Sequence, residues 1–85
     1  MNWSLVIASP AEKVLRRVPV LDRARINDAF SQMCVNPFVG DVKSLRGGKG
    51  TLRHRVGDWH ILFDLHQEER LIAITAVKRR TSKTY

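Results

Sequence analysis

Two runs of alternating residues, Leu52-Arg53-His54-Arg55-Val56 and Trp59-His60-Ile61-Leu62-Phe63, are separated only by Gly57-Asp58. A two-residue connection with glycine first suits a type II′ turn, so the segment reads as a β-hairpin. That turn sets the register: Val56 opposes Trp59, Arg55 opposes His60, His54 opposes Ile61 and Arg53 opposes Leu62. One face then carries Leu52, His54, Val56, Trp59, Ile61 and Phe63, and the other Thr51, Arg53, Arg55, His60 and Leu62. A slip of one residue would exchange the faces, and the apolar character of the Leu52 side selects this pairing. His54 is therefore expected in the core or at its edge. On the opposite face two arginines and a histidine lie side by side, a costly concentration of like charge unless an anion binds there.

The rest of the chain supplies what the apolar face of the hairpin must pack against. Trp3 to Ile7 alternates as a strand with one buried face. Ser9-Pro10-Ala11-Glu12 has the form of a capping box, with Ser9 as N-cap and Pro10 at the first helical position. The helix that follows places Ala11, Val14, Leu15 and Val18 on one side. Pro19 interrupts it, and a second helix of roughly Val20 to Val35 repeats the pattern with Leu21, Ile26, Ala29, Phe30, Met33 and Cys34. Asn36-Pro37 ends that helix, and 38–48 reads as a turn-rich link with Val42 and Leu45 as core anchors. Strands follow at about Thr51–Val56, Trp59–Leu65 and Arg70–Val77, with a looser turn at His66–Glu69. The expected architecture is α+β: an N-terminal strand, a two-helix hairpin, then a three-stranded antiparallel meander with the helices on one sheet face.

Size and charge narrow the functional classes. Eighty-five residues form one small domain, 1–85, that buries only about 60–65% of its unfolded surface. No apolar run approaches the roughly 20 residues of a membrane span, and the N-terminus does not read as a secretory signal. The single cysteine, Cys34, can form no internal disulfide and reads as a core residue, so the reducing cytoplasm is the expected location. Gly47-Gly48-Lys49-Gly50 lacks the spacing of a phosphate loop and leads into a strand, so nucleotide binding is discounted. Net charge is +7, unevenly spread. Residues 43–57 hold five basic side chains (Lys43, Arg46, Lys49, Arg53, Arg55) and no acidic one, and 77–85 hold four (Lys78, Arg79, Arg80, Lys83), again with no acidic one. The other residues are net −2. Two cationic segments on a near-neutral scaffold suit a phosphate backbone or an acidic protein.

The basic hairpin face also has the elements of a metal-free nuclease. Repulsion from Arg55 biases His60 toward its neutral, proton-accepting form. Guanidinium forks suit phosphate and stabilise charge building on its oxygens. RNA carries its own nucleophile, the 2′-hydroxyl, so neither cofactor nor metal is required.

The whole chain resembles the RelE/ParE superfamily of bacterial toxins from type II toxin–antitoxin pairs. The resemblance rests on the opening strand, the helix pair ending in Asn36-Pro37, Val42-Lys43-Ser44-Leu45-Arg46-Gly47, and above all Arg53-His54-Arg55-Val56-Gly57-Asp58-Trp59-His60-Ile61-Leu62-Phe63. The ending from Ile74 to Tyr85, a strand followed by a basic residue and an aromatic about six positions later, is similar too. RelE-like members imply a ribosome-dependent endoribonuclease that cuts mRNA by 2′-hydroxyl attack. ParE-like members imply a non-nuclease inhibitor of DNA gyrase, and an inactive antitoxin-binding member is a third option. Under the RelE-like reading Arg53 matches a basic residue that activates the nucleophile or binds phosphate, Arg79 a transition-state-stabilising arginine, and Tyr85 a tyrosine that stacks on the nucleotide. His60 departs from the family pattern, which has arginine there. Catalytic candidates are thus Arg53, Arg55, His60, Arg79 and Tyr85, with Lys43, Arg46, Lys49, Lys78, Arg80 and Lys83 as RNA contacts. The implied partners are a cognate antitoxin, the ribosome and mRNA, and operator DNA through the antitoxin complex.

Overall fold

The computed structural model describes residues 2–45 and 51–79. Its elements run β1 (Ser4–Ile7), α1 (Ser9–Arg17), α2 (Val20–Val35), β2 (Val42–Ser44), β3 (Thr51–Val56), β4 (Trp59–His66) and β5 (Leu71–Arg79). The five strands form one sheet in the order β1-β5-β4-β3-β2.

The hairpin adopts the register that its turn dictates, with Val56 opposite Trp59, Arg55 opposite His60, His54 opposite Ile61 and Arg53 opposite Leu62. Gly57 has φ +59 while Asp58 does not enter the positive region, as a type II′ turn requires. The apolar side of the sheet, Trp59, Ile61, Phe63, Ile72, Ile74 and Val77, packs against Ala11, Leu15, Val18, Ile26, Phe30 and Met33 of the helix layer. Both helices therefore lie on one face, as the periodicity predicts.

The meander is a subset of a larger sheet. The link after α2 contains the short edge strand β2, antiparallel to β3 with Lys43 opposite Arg53. Three residues with one apolar side chain are too few to show alternation, which is why the segment reads as a turn-rich link. The N-terminal strand β1 lies parallel to β5, pairing Ser4 with Leu71 and Ile7 with Ile74. The long connection that a parallel pair needs contains both helices and the strands β2 to β4.

Four local expectations are corrected. Ala8, not Ser9, caps α1; no side chain bonds the cap, and Pro10 falls one position deeper. The Glu12 amide bonds the Ala8 carbonyl, so the first helical turn already includes Ser9. Leu21 is 79% exposed. It lies five residues before Ile26, about 140° round the helix, whereas Asp22 sits on the buried stripe and accepts a hydrogen bond from Trp59 Nε1 at 3.1 Å. Cys34 is half-buried rather than in the core. The expected start of the last strand at Arg70 also moves: Arg70 occupies the left-handed region, φ 54, and closes the β4–β5 turn by donating its amide to the Gln67 carbonyl.

Candidate nucleic-acid interface

The sheet face away from the helices carries Lys43, Arg53, Arg55 and Lys78. Cross-strand pairing runs from Arg55 on β3 to His60 on β4 and on to Lys78 on β5, which puts three side chains in one row on that face. The next row contains Lys43, Arg53, Leu62 and Ala76. Arg55 and Lys78 are exposed and His60 is half-buried. Arg55 Nε donates to the Gly57 carbonyl at 3.4 Å, leaving the fork of the guanidinium beyond the turn.

Arg79 does not join this row. Pairing shifts by one between Leu62/Phe63 and β5: Leu62 opposes Ala76 while Phe63 opposes Ile74, so Thr75 is the extra residue of a bulge. Thr75 Oγ1 donates to the Leu62 carbonyl at 3.3 Å across the irregularity. Unbroken alternation from Ile72 and Ile74 would send Arg79 to the His60 side; the bulge turns Val77 into the core, Lys78 toward His60 and Arg79 toward Trp59. The Arg79 guanidinium lies over the Trp59 ring, 5.6 Å from its centroid, on the indole that is tied to Asp22. Of the remaining candidates, Lys43 lies opposite Arg53, and Arg46, Lys49, Arg80, Lys83 and Tyr85 lie outside the described residues.

Arg53 differs from its neighbours in being largely covered. Its side chain is 14% exposed, and Nη2 meets Asp41 Oδ1 at 3.2 Å; that carboxylate is 50% exposed. Asp41 is pinned by its main chain, because its carbonyl accepts the Arg55 amide at 3.0 Å. Beside it, Gly40 at φ +101 packs on the buried His54 ring, where a Cβ would come within 2.9 Å of Cε1. Only glycine meets both demands there. His54 is 6% exposed, and its Nδ1 has no hydrogen-bond partner. Burial foremost pushes its pKa down, Asp41 pulls it up and Arg53 pushes it down. A second carboxylate, Asp64, pairs with Thr51 on the same face, diagonal to Arg53; its Oδ1 and the Arg53 Nε are both buried without a partner.

Sequence reasoning missed Asp41, Asp64 and the position of Lys78. Asp64 was within reach, since it lies two residues after Leu62 on one strand face. Asp41 belongs to a strand edge with no alternating signature, and Lys78 depends on the bulge. Among the described residues no group of three or more His, Cys, Asp and Glu side chains is placed to hold a metal, and no helix is long and apolar enough to cross a membrane.

No family model and no curated protein matches the sequence. Solved structures do match in fold. A chain of the archaeal RelE–RelB complex from Pyrococcus horikoshii is 22% identical with a TM-score of 0.86, the match covering 98% of this chain and 100% of that one. A chain of the RelBE toxin–antitoxin complex from Mycobacterium tuberculosis is 23% identical with a TM-score of 0.82, covering 94% of this chain and 100% of that one. The isolated RelE toxin of Escherichia coli is 14% identical with a TM-score of 0.82, covering 95% of this chain and 87% of that one.

Proposed function

We propose that this chain, which has the fold of the RelE toxins, is the toxin of a toxin–antitoxin pair and cleaves mRNA on the ribosome. The observation that carries the reading is the Arg55–His60–Lys78 row on the sheet face opposite the helices. A histidine between two cations places a proton acceptor where a phosphate is attracted.

In this reading the RNA backbone lies along the row. His60 takes the proton of a 2′-hydroxyl as that oxygen attacks the adjacent phosphorus. Arg55 and Lys78 stabilise the charge that gathers on the non-bridging oxygens. The bond from phosphorus to the 5′-oxygen breaks, leaving a 2′,3′-cyclic phosphate, and the departing oxygen takes up a proton. No cofactor or metal enters the balance. The family resemblance adds Arg53, Arg79 and Tyr85 to the catalytic set; of these, Arg53 lies on the face of the row, while Arg79 is turned to the Trp59 side, away from it. Lys43, Arg46, Lys49, Arg80 and Lys83 extend the contact to ribosomal and messenger RNA. The ribosome supplies the alignment of the RNA strand that so small a domain cannot impose by itself.

The toxin's partner is an antitoxin whose acidic or amphipathic segment covers the basic face, and the pair binds operator DNA. The solved complexes of RelE with RelB support this partner. Induced expression followed by mapping of mRNA 5′ ends tests the function. Cuts phased with codons inside translated regions are expected, and they should disappear in the Arg55→Ala and His60→Ala variants. Intact mRNA with double-strand breaks in DNA would replace the nuclease by a ParE-like gyrase inhibitor, and no toxicity at all would leave an inactive antitoxin-binding protein.

A further inference from the structure

Arg53 and Arg55 lie on one strand and one face, yet they meet solvent very differently. Arg55 is exposed, while the Arg53 side chain is 14% exposed and already holds a carboxylate. Asp41 is the more exposed partner, 50% against 14%. The Arg53 Nε is buried, so the guanidinium offers no second approach through that nitrogen. A phosphate that takes the Arg53 Nη2 has to displace Asp41.

Rigidity of the surrounding main chain restricts how that can happen. The Asp41 carbonyl accepts the Arg55 amide at 3.0 Å, the Val42 amide bonds the Gly40 carbonyl at 3.0 Å, and Gly40 is seated on the His54 ring. The Asp41 backbone therefore stays at the sheet edge, and only its side chain can rotate away. The contact to be broken is a single N–H···O pair at 3.2 Å rather than a two-pronged one. A phosphate group offers oxygens enough for a bidentate contact with a guanidinium.

We infer that Asp41 is a resident anion that competes with the RNA phosphate for Arg53, so that substrate binding exchanges one ligand of this arginine for the other. Asp41 thereby sets the affinity of the face: it cancels one cation until RNA displaces it. Lys43, opposite Arg53, and Arg55, beside Asp41, are the nearby charges that favour the exchange; Asp64, diagonal to Arg53, opposes it. The inference rests on the reading of this face as an RNA interface.

The test uses the full chain and a short single-stranded RNA with methylated 2′-hydroxyls, which binds without being cut. Asp41→Asn should bind this RNA at least threefold tighter. Its plot of log affinity against log salt should keep the parent's slope, because Arg53 meets a phosphate in both proteins and only the cost of displacing Asp41 is removed. The gain in affinity should vanish when Arg53→Ala is added, and Asp41→Glu should restore the parent affinity. Unchanged or weaker binding by Asp41→Asn, or a gain that survives loss of Arg53, overturns the inference. In the unsubstituted protein the Asp41 carboxylate carbon should shift in its NMR signal on saturation with the RNA, and an invariant signal overturns it without recourse to any variant. Should the parent protein bind RNA in a manner that depends on Arg55 and Lys78 while Asp41 is silent, this inference alone falls. Absence of RNA binding by the parent protein overturns the RNA reading, and the inference with it.

Discussion

His54 shows how one residue links the core to the basic face. Its ring fills the space left by Gly40, its neighbours on the strand are Arg53 and Arg55, and its Nδ1 has no partner. Burial lowers its pKa from the ordinary value of 6.5, so the folded chain takes up a proton at lower pH than the unfolded chain does. Above that ordinary value both states are neutral and His54 contributes nothing to pH dependence. As pH falls through it, the unfolded state binds the proton first, and stability declines until the folded pKa is passed. The His54→Gln variant carries no such proton, so its urea-unfolding free energy should fall less than the parent's between pH 7 and about pH 5. Equal slopes for the two proteins would show that His54 titrates alike folded and unfolded. The parent-minus-variant difference isolates the contribution of His54.

At the scale of elements, the hairpin was legible because turn chemistry and alternation agree on one answer. Gly57-Asp58 sets the pairing, and the apolar side of Leu52, Val56, Trp59, Ile61 and Phe63 tolerates no other. Helix α2 was legible over its full length, Val20–Val35, from three- and four-residue spacing. The facing of its first turn was not, because Asp22 takes the inward position through a hydrogen bond that joins residues 37 apart in sequence. Strand β2 and the parallel pairing of β1 with β5 are long-range outcomes that no window of sequence displays. The bulge at Thr75 has the largest effect on the candidate site, since one extra residue exchanges Lys78 and Arg79 between the faces. Lys78→Ala should therefore reduce the salt slope of RNA binding by about 0.7. Arg79→Ala should change that slope less and lower the melting temperature instead, through loss of the contact with Trp59, a type worth about 0.5–1 kcal/mol at exposed sites. The opposite pattern in the two variants would mean that Arg79, and not Lys78, faces the RNA.

For the molecule as a whole, the helix layer takes up one side of the sheet, and Lys43, Arg53, Arg55 and Lys78 lie on the other. The two regions are distinct: Ile26, Phe30, Met33, Phe63, Ile72 and Ile74 hold the fold together, while Arg55 and Lys78 add charge that the core does not need. Strand order has a further consequence, for biosynthesis. Strand β1 is the first to be synthesised, yet its strand partner is β5, the last of the described strands, and β5 also pairs with β4. A growing chain thus holds an orphan first strand until translation has passed Arg79, and local helix formation cannot substitute for that pairing. Chains ending at Arg70 should show no cooperative melting by circular dichroism, whereas the full chain should melt in one step; a cooperative transition in the shorter chain would refute this. Under the proposed function, toxicity would then switch on only after translation has passed Arg79, which leaves a translating ribosome unexposed to an active shorter fragment of the product it is making.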